Sequence, residues 1–305
     1  EISCEEVGDK MRSGFVGLIG RPNVGKSTLL NNIIGTKIAI TSNVPGTTRN
    51  AIQGIYTDSN CQMVFIDTPG IHKPHHKLGR MLNKQAYVTT DDVDVILFLV
   101  DITEEIGKGD KYIIDILKKS DKPVILVINK IDRLPKDIIL TKINEYKDLL
   151  DFDEIVPVSA MKGDNVDRLI EVLKNYLTDN IKYFDDDMIT NVSNQFIIGE
   201  MVREKILELT NEEVPHSVST SVERMTEEDG IIHIMCDIIV DRDSLKKIII
   251  GKGGSMVKEI GQKARVDIEK LLGKKVYLEL YVKTVPKWRE KDKFLNDTIF
   301  KDFDF

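Results

Sequence analysis

The stretch that decides the fold runs Phe15-Val-Gly-Leu-Ile-Gly-Arg-Pro-Asn-Val-Gly-Lys-Ser-Thr-Leu-Leu-Asn-Asn-Ile-Ile34. An apolar run, Phe15–Ile19, stops at Gly20, and a helical pattern opens at Lys26-Ser27. Between them lies G-x-x-x-x-G-K-[ST], which needs this strand–turn–helix setting to be meaningful. Glycines let the backbone fold so that several N–H groups converge on one phosphate. The helix start adds the positive end of its dipole. Gly20, Arg21, Pro22, Asn23, Val24, Gly25, Lys26, Ser27 and Thr28 are therefore expected to hold a nucleotide. Lys26 would meet the outer phosphates, and the Ser27 hydroxyl would ligate Mg²⁺.

Three further segments follow apolar runs. Asp67-Thr68-Pro69-Gly70 follows Met63–Ile66. Its carboxylate can hold a Mg²⁺ water, and the Gly70 N–H can meet a γ-phosphate. Asn129-Lys130-Ile131-Asp132 follows Val124–Ile128. Asp132 can accept from N1–H and the 2-amino group of guanine. Adenine offers neither donor and would leave the carboxylate unpaired, which discriminates strongly. Asn129 and Lys130 would brace the loop and cover the base. Ser159-Ala160-Met161 follows Ile155–Val158 and can offer an N–H to the guanine oxygen. Four loops on one edge of an α/β sheet form the expected ligand crevice.

The rest of the chain frames this site. Its 305 residues favour about two domains. With 41% hydrophobic and 30% charged residues it can build ordinary cores. No apolar run approaches the roughly 18 residues a membrane span needs. The first ten residues, EISCEEVGDK, are acidic and unlike a secretion signal. Cys4, Cys61 and Cys236 lack metal spacing and suit a reducing cytosol. A net charge of −7 argues against a chain that coats nucleic acid everywhere, yet allows a local basic face.

Residues 1–182 alternate strand and helix patterns. The strands are Phe15–Ile19, Ala51–Tyr56, Gln62–Ile66, Asp94–Val100, Val124–Ile128 and Ile155–Pro157. The helices are Lys77–Val88, Lys111–Lys119, Lys136–Leu150 and Asn165–Leu177. This is an α/β pattern with a mainly parallel sheet and helices on both faces. Acidic, aperiodic Tyr183–Asn191 reads as a linker. Residues 192–305 then give a helix (Phe196–Leu209), two alternating strands (Val214–Val222 and Ile231–Val240) around Glu227–Gly230, two helices (Leu245–Ile250 and Ser255–Leu272) and a last strand (Val276–Lys283). That α-β-β-α-α-β order is a small α+β domain.

Between the last two helices lies Ile248-Ile-Ile250-Gly251-Lys252-Gly253-Gly254. Residues 242–293 carry 15 basic against 7 acidic side chains. This half resembles a KH domain. The resemblance implies that the glycine loop, with Ile250 and Lys258 beside it, packs on the backbone of about four unpaired nucleotides. Side chains in place of these glycines would hold the strand away.

The four nucleotide motifs resemble the translation-factor-related small GTPases. That resemblance assigns a Mg²⁺-ligating switch threonine to Pro45-Gly-Thr-Thr-Arg49, with Thr48 favoured over Thr47. In Ras-like members a glutamine after D-x-x-G orients the attacking water. Here Ile71 stands there, and His72, His75 and His76 read as surface loop residues. Related GTPases with Asn23's residue type at this loop position and a G-T-T switch use a bound K⁺, so Asn23 is either a K⁺ ligand or a brace of the loop. The resulting catalytic set is Asn23, Lys26, Thr48 and Gly70, with slow GTP hydrolysis.

G-x-x-N-x-G-K-S, T-T-R and D-T-P-G followed by one KH domain resemble the Era family of ribosome-assembly GTPases. The resemblance spans Ser13 to Trp288 and is weakest beyond, in the tail ending Phe300–Phe305. It implies binding of GTP and GDP, of the single-stranded 3′ end of 16S-type ribosomal RNA rather than DNA, a role in 30S maturation, and a cytoplasmic protein with a peripheral membrane fraction. The competing reading is a GTPase whose C-terminal module binds protein or membrane.

Overall fold

The computed structural model describes residues 11–44, 47–70 and 92–295. The expected helix Lys77–Val88, the first ten residues and the tail beyond 295 lie outside them. Contacts divide the chain into two compact units. Among the described residues, the first holds 11–35, 51–70 and 92–191; the second holds 36–44, 47–50 and 192–295.

In the first unit, β1 (Arg12–Gly20), β2 (Ile52–Thr57), β3 (Cys61–Asp67), β4 (Val95–Asp101), β5 (Val124–Asn129) and β6 (Glu154–Pro157) form a sheet in the order β2-β3-β1-β4-β5-β6. All neighbours are parallel except β2 and β3. All seven residues of β4 are buried, as a strand covered on both faces requires. Helices α1 (Lys26–Ile34), α2 (Lys108–Leu117), α3 (Lys136–Lys147) and α4 (Val166–Lys174) alternate with the strands. Ile113, Ile114 and Leu117 of α2 and Tyr146 of α3 join Ile96, Phe98, Val100, Leu126 and Ile128 in one core. Four parallel neighbours end together, so the loops after β1, β3, β4 and β5 share one edge.

The stretch expected to be a linker is pinned to this unit. Gln62 is fully buried. Its Oε1 accepts from the Tyr183 and Phe184 N–H groups at 2.8 and 3.0 Å, and its Nε2 donates to the Phe184 carbonyl at 2.9 Å. Farther along, the Ile55 N–H donates to the Ile189 carbonyl at 2.9 Å, and Thr190 Oγ1 donates to the Gln53 carbonyl at 2.6 Å. The segment thereby covers the exposed edge of β2, a usual way of protecting an unpaired strand.

The second unit contains α5 (Asn194–Leu209), α6 (Val214–Ser217), β7 (Val218–Glu228), β8 (Ile231–Val240), α7 (Asp243–Ile250), α8 (Ser255–Leu272) and β9 (Lys275–Thr284). β8 lies between antiparallel β7 and parallel β9. Asp229 and Gly230 turn the β7–β8 hairpin with φ of 52° and 78°, the two-residue turn that matches strand twist. Val214–Ser217, expected to begin a strand, is a helical turn because Pro215 sits at its start, where a missing N–H is harmless.

Thr36–Asn50 belongs to this second unit. Lys37 pairs with Glu204 and Asp267. The Thr41 N–H donates to Glu204 at 2.9 Å, and Arg203, almost fully buried, donates to the Thr47 carbonyl. Arg49 Nη1 donates to the Val218 carbonyl at 2.7 Å, and its guanidinium lies 5.6 Å from the ring centre of buried Trp288. Burial, reinforced by nearby Arg203, lowers the Arg49 pKa to about 9. Proximity in sequence to the phosphate loop gives no hint of this placement.

Candidate nucleotide site

β1 delivers Gly20 to the sheet edge and α1 starts six residues later. A Cβ on Gly20 would come within 2.5 Å of the Leu99 carbonyl, so the turn lies against β4. Gly25 has φ 102°, and a Cβ there would collide with the Asn129 amide. Glycine is thus required twice over, by backbone conformation and by space. Asn23 also has positive φ, 65°, which Asn tolerates better than most residues.

Lys26 is buried, and its Nζ donates to the Gly20 and Arg21 carbonyls at 3.1 and 2.9 Å. Burial lowers its pKa to about 8, opposed by Asp67. Asp67 is also fully buried; burial raises it to about 6, against the pull of Lys26 and a hydrogen bond from Ser27. That bond, Ser27 Oγ to Asp67 Oδ2, is 2.6 Å. Asp67 Oδ1 is buried with no hydrogen-bond partner. A hydroxyl beside a carboxylate with one unused oxygen is the hard oxygen donor set that Mg²⁺ prefers. Ser27 and Asp67 therefore fit a nucleotide-bound Mg²⁺, whose chemistry is to neutralise phosphate charge.

The other loops close around this one. Thr68 Oγ1 donates to the Leu18 carbonyl at 2.7 Å. A Cβ on Gly70 would lie 2.6 Å from Pro22 N, so the D-T-P-G backbone rests directly on the phosphate loop. Asn129, nearly fully buried, donates to the Val24 carbonyl at 2.7 Å. Its Oδ1 accepts from the Lys130 N–H at 2.8 Å and the Ala160 N–H at 2.9 Å. Lys130 Nζ donates to the Asn23 carbonyl at 3.0 Å and pairs with Asp101. Ser159 Oγ donates to Asp132 Oδ1 at 2.7 Å. That bond is the main cause holding the Asp132 pKa below its usual value, leaving an exposed carboxylate ready to accept from a base. Ala160 is buried and Met161 exposed beside it.

Gly20 to Thr28, Asp67 to Gly70, Asn129, Lys130, Asp132 and Ser159 to Met161 thus belong to one unit and one sheet edge. Thr47 and Thr48 do not; they lie in the segment grouped with the second unit. Ile71, His72, His75 and His76 fall outside the described residues. Asp101, which holds Lys130, is absent from the sequence expectation. It is held in turn by the Thr103 N–H at 2.9 Å and Thr103 Oγ1 at 2.6 Å. An acidic residue ending an apolar strand was the available signal, and the register pairs it with Asn129.

In the second unit, Gly251, Gly253 and Gly254 have φ of 74°, 61° and 81°. A Cβ on Gly251 would lie 2.7 Å from the Met256 Cβ, whereas Gly253 and Gly254 face open space. Lys252 and Lys258 are exposed, and Ile250 is half-buried. The loop presents bare backbone flanked by cations.

These two sites define a GTPase followed by a KH domain. Residues 15–130 match the family described as 50S ribosome-binding GTPase, and residues 213–289 match the KH domain family. Two solved structures are similar over nearly their whole length. One is a single-site variant of Aquifex aeolicus Era bound to GDP.AlF4⁻, at 43% identity and TM-score 0.90, covering 94% of this chain and 98% of that one. The other is Era in complex with MgGDPNP and nucleotides 1506–1542 of 16S ribosomal RNA, at 43% identity and TM-score 0.91 with the same coverage. The chain belongs to the Era family.

Asn129→Ala removes one donor and one acceptor that serve three loops. With each bond worth about 1 kcal/mol and buried partners left unpaired, GDP and GTP affinity should fall about a hundredfold. Titration with fluorescent nucleotide reads this; unchanged affinity would contradict the bracing role.

Proposed function

We propose that this GTPase binds GTP with Mg²⁺ at the phosphate loop and uses its KH unit to hold the single-stranded 3′ end of small-subunit ribosomal RNA during 30S maturation. The observation that carries the RNA half is the Gly251–Gly254 loop. Three glycines at positive φ leave its backbone open at Gly253 and Gly254, beside Lys252 and Lys258. Backbone N–H groups without covering side chains can approach sugar and phosphate closely, and the lysines add sequence-independent attraction. The 43% identical relative captured with MgGDPNP and a 16S fragment supports the choice of RNA.

In the nucleotide site, Lys26 would bind the β- and γ-phosphates, Ser27 would ligate Mg²⁺, and Asp67 would act through a water. The Gly70 N–H would meet the γ-phosphate. Asn129, Lys130, Asp132, Ser159, Ala160 and Met161 would hold guanine. Supporting this are the Ser27–Asp67 pairing and the Asn129 bonds described above. With Ile71 in place of a water-orienting glutamine, positioning and charge neutralisation must supply the rate. Asn23 is the proposed ligand of a K⁺ that offsets charge between the phosphates. A cytoplasmic location with a peripheral membrane fraction is part of the same proposal and rests on the resemblance to the Era family.

Replacing Lys252 and Gly253 by Asp should weaken binding of a single-stranded 16S 3′-end oligonucleotide at least about thirtyfold while sparing GTP, since both a cation and the open backbone are lost. Unchanged RNA affinity would move the KH unit to another partner. GTP turnover should be several-fold faster in K⁺ than in Na⁺ at equal ionic strength. Equal rates would remove the K⁺ role from Asn23.

A further inference from the structure

Arg21 is the one charged side chain of the phosphate loop besides Lys26, and it is directed away from Lys26's work. Its Nε donates to Asp110 Oδ1 at 2.9 Å, and its Nη2 pairs with Glu104 at 2.6 Å. Asp110 is fully buried, while the Glu104 side chain is about half exposed. The other Asp110 oxygen accepts from the Gly107 N–H at 2.8 Å at the start of α2. Both carboxylate oxygens are therefore used, one on the helix start and one on the phosphate loop.

The sequence Gly107-Lys-Gly-Asp110 fits this contact closely. A Cβ on Gly109 would stand 2.7 Å from Arg21 Cδ and 3.2 Å from Cγ, so the Arg21 stem lies flat on the Gly109 backbone. A Cβ on Gly107 would lie 3.7 Å from Nη1 of the same guanidinium. Burial alone would lower the Arg21 pKa; Asp110 and Glu104 more than offset it, so the guanidinium stays charged. Charge-assisted bonds to a planar guanidinium fix direction as well as distance.

We propose that the Arg21–Asp110 pair is a positioning device for nucleotide binding: it clamps the phosphate loop to the start of α2 and slows nucleotide release. Arg21 sits where the main chain must be held. Its carbonyl accepts from Lys26, and the next residue, Pro22, supports Gly70. A loop tethered from its outer side keeps its N–H groups aimed inward without their having to be ordered by the phosphates, which lowers the cost of binding. The pair acts through the main chain of the phosphate loop, so its effect falls on affinity rather than on turnover. The proposal rests on the phosphate-loop reading above.

The test uses the full chain. Arg21→Ala and Asp110→Asn should each speed release of fluorescent GDP about tenfold, the effect of one charge-assisted hydrogen bond. Asp110→Asn keeps an acceptor for Gly107 but turns a donor toward Arg21. For Asp110→Asn, which lies outside the nucleotide-holding residues, turnover at saturating GTP should stay within twofold of the parent, so KM rises and kcat does not. The double variant should be no worse than the worse single, as coupled partners require. Arg21→Lys, able to reach one carboxylate, should fall between. If the alanine or asparagine variant does not fold, Gly109→Ala carries the test, since it displaces the Arg21 stem without changing charge; about threefold faster release is expected. GDP release within twofold of the parent, with only the melting temperature lowered, would overturn the proposal and reduce the pair to an anchor of α2. A parent chain that fails to bind GDP would instead overturn the phosphate-loop reading.

Discussion

The site depends on the Asn129 carboxamide. A parallel sheet brings strand ends to one edge, but it does not fix the loops to one another. Asn129 does so with one donor and two acceptor contacts, on Val24, Lys130 and Ala160. It is nearly fully buried, where an unpaired amide is costly and a satisfied one specifies a single arrangement. Gly25 gives way to it: no larger residue fits against that amide. Loop geometry at the phosphates and loop geometry at the base are therefore one constraint.

Charge follows the same logic. Lys26 and Asp67 are buried together, one lowered to about 8 and the other raised to about 6, each shifted chiefly by burial. Ser27 and Lys26 partly stabilise the carboxylate, and Asp67 partly stabilises the ammonium. Phosphate oxygens favour the charged lysine, and a divalent cation favours the charged aspartate. Ligands of both signs thus relieve the two burial costs at once, which is how a small site can bind a highly charged molecule. The Asp101–Lys130 pair and the Arg21 bonds to Asp110 and Glu104 hold cations to the outside of the loop, where they support it.

Much of this was legible in the sequence because its signals are local. Gly20–Ser27, Asp67–Gly70 and Asn129–Asp132 each follow an apolar strand, and the six strand positions agree with the sheet within about three residues. The Gly251–Gly254 loop, lying between two helical patterns, was legible in the same way. What stayed hidden is long-range. Asn129 meets Val24 across 105 positions, Arg21 meets Asp110 across 89, and Gln62 meets Phe184 across 122. No periodicity encodes such pairs. The placement of Thr36–Asn50 with the second unit was hidden for the same reason: Arg203 and Glu204, which hold it, look from sequence like ordinary charged helix residues. Val214–Ser217 failed differently, since apolar alternation outweighed the start signal of Pro215.

The central claim is that protein side chains alone hold the phosphate loop in its binding shape. The most direct measurement is the rate of fluorescent GDP association by rapid mixing. A preformed loop predicts an observed rate that climbs linearly with nucleotide concentration, without a plateau. A rate that saturates at a slow, concentration-independent limit would show that the loop must first rearrange, and would contradict the account.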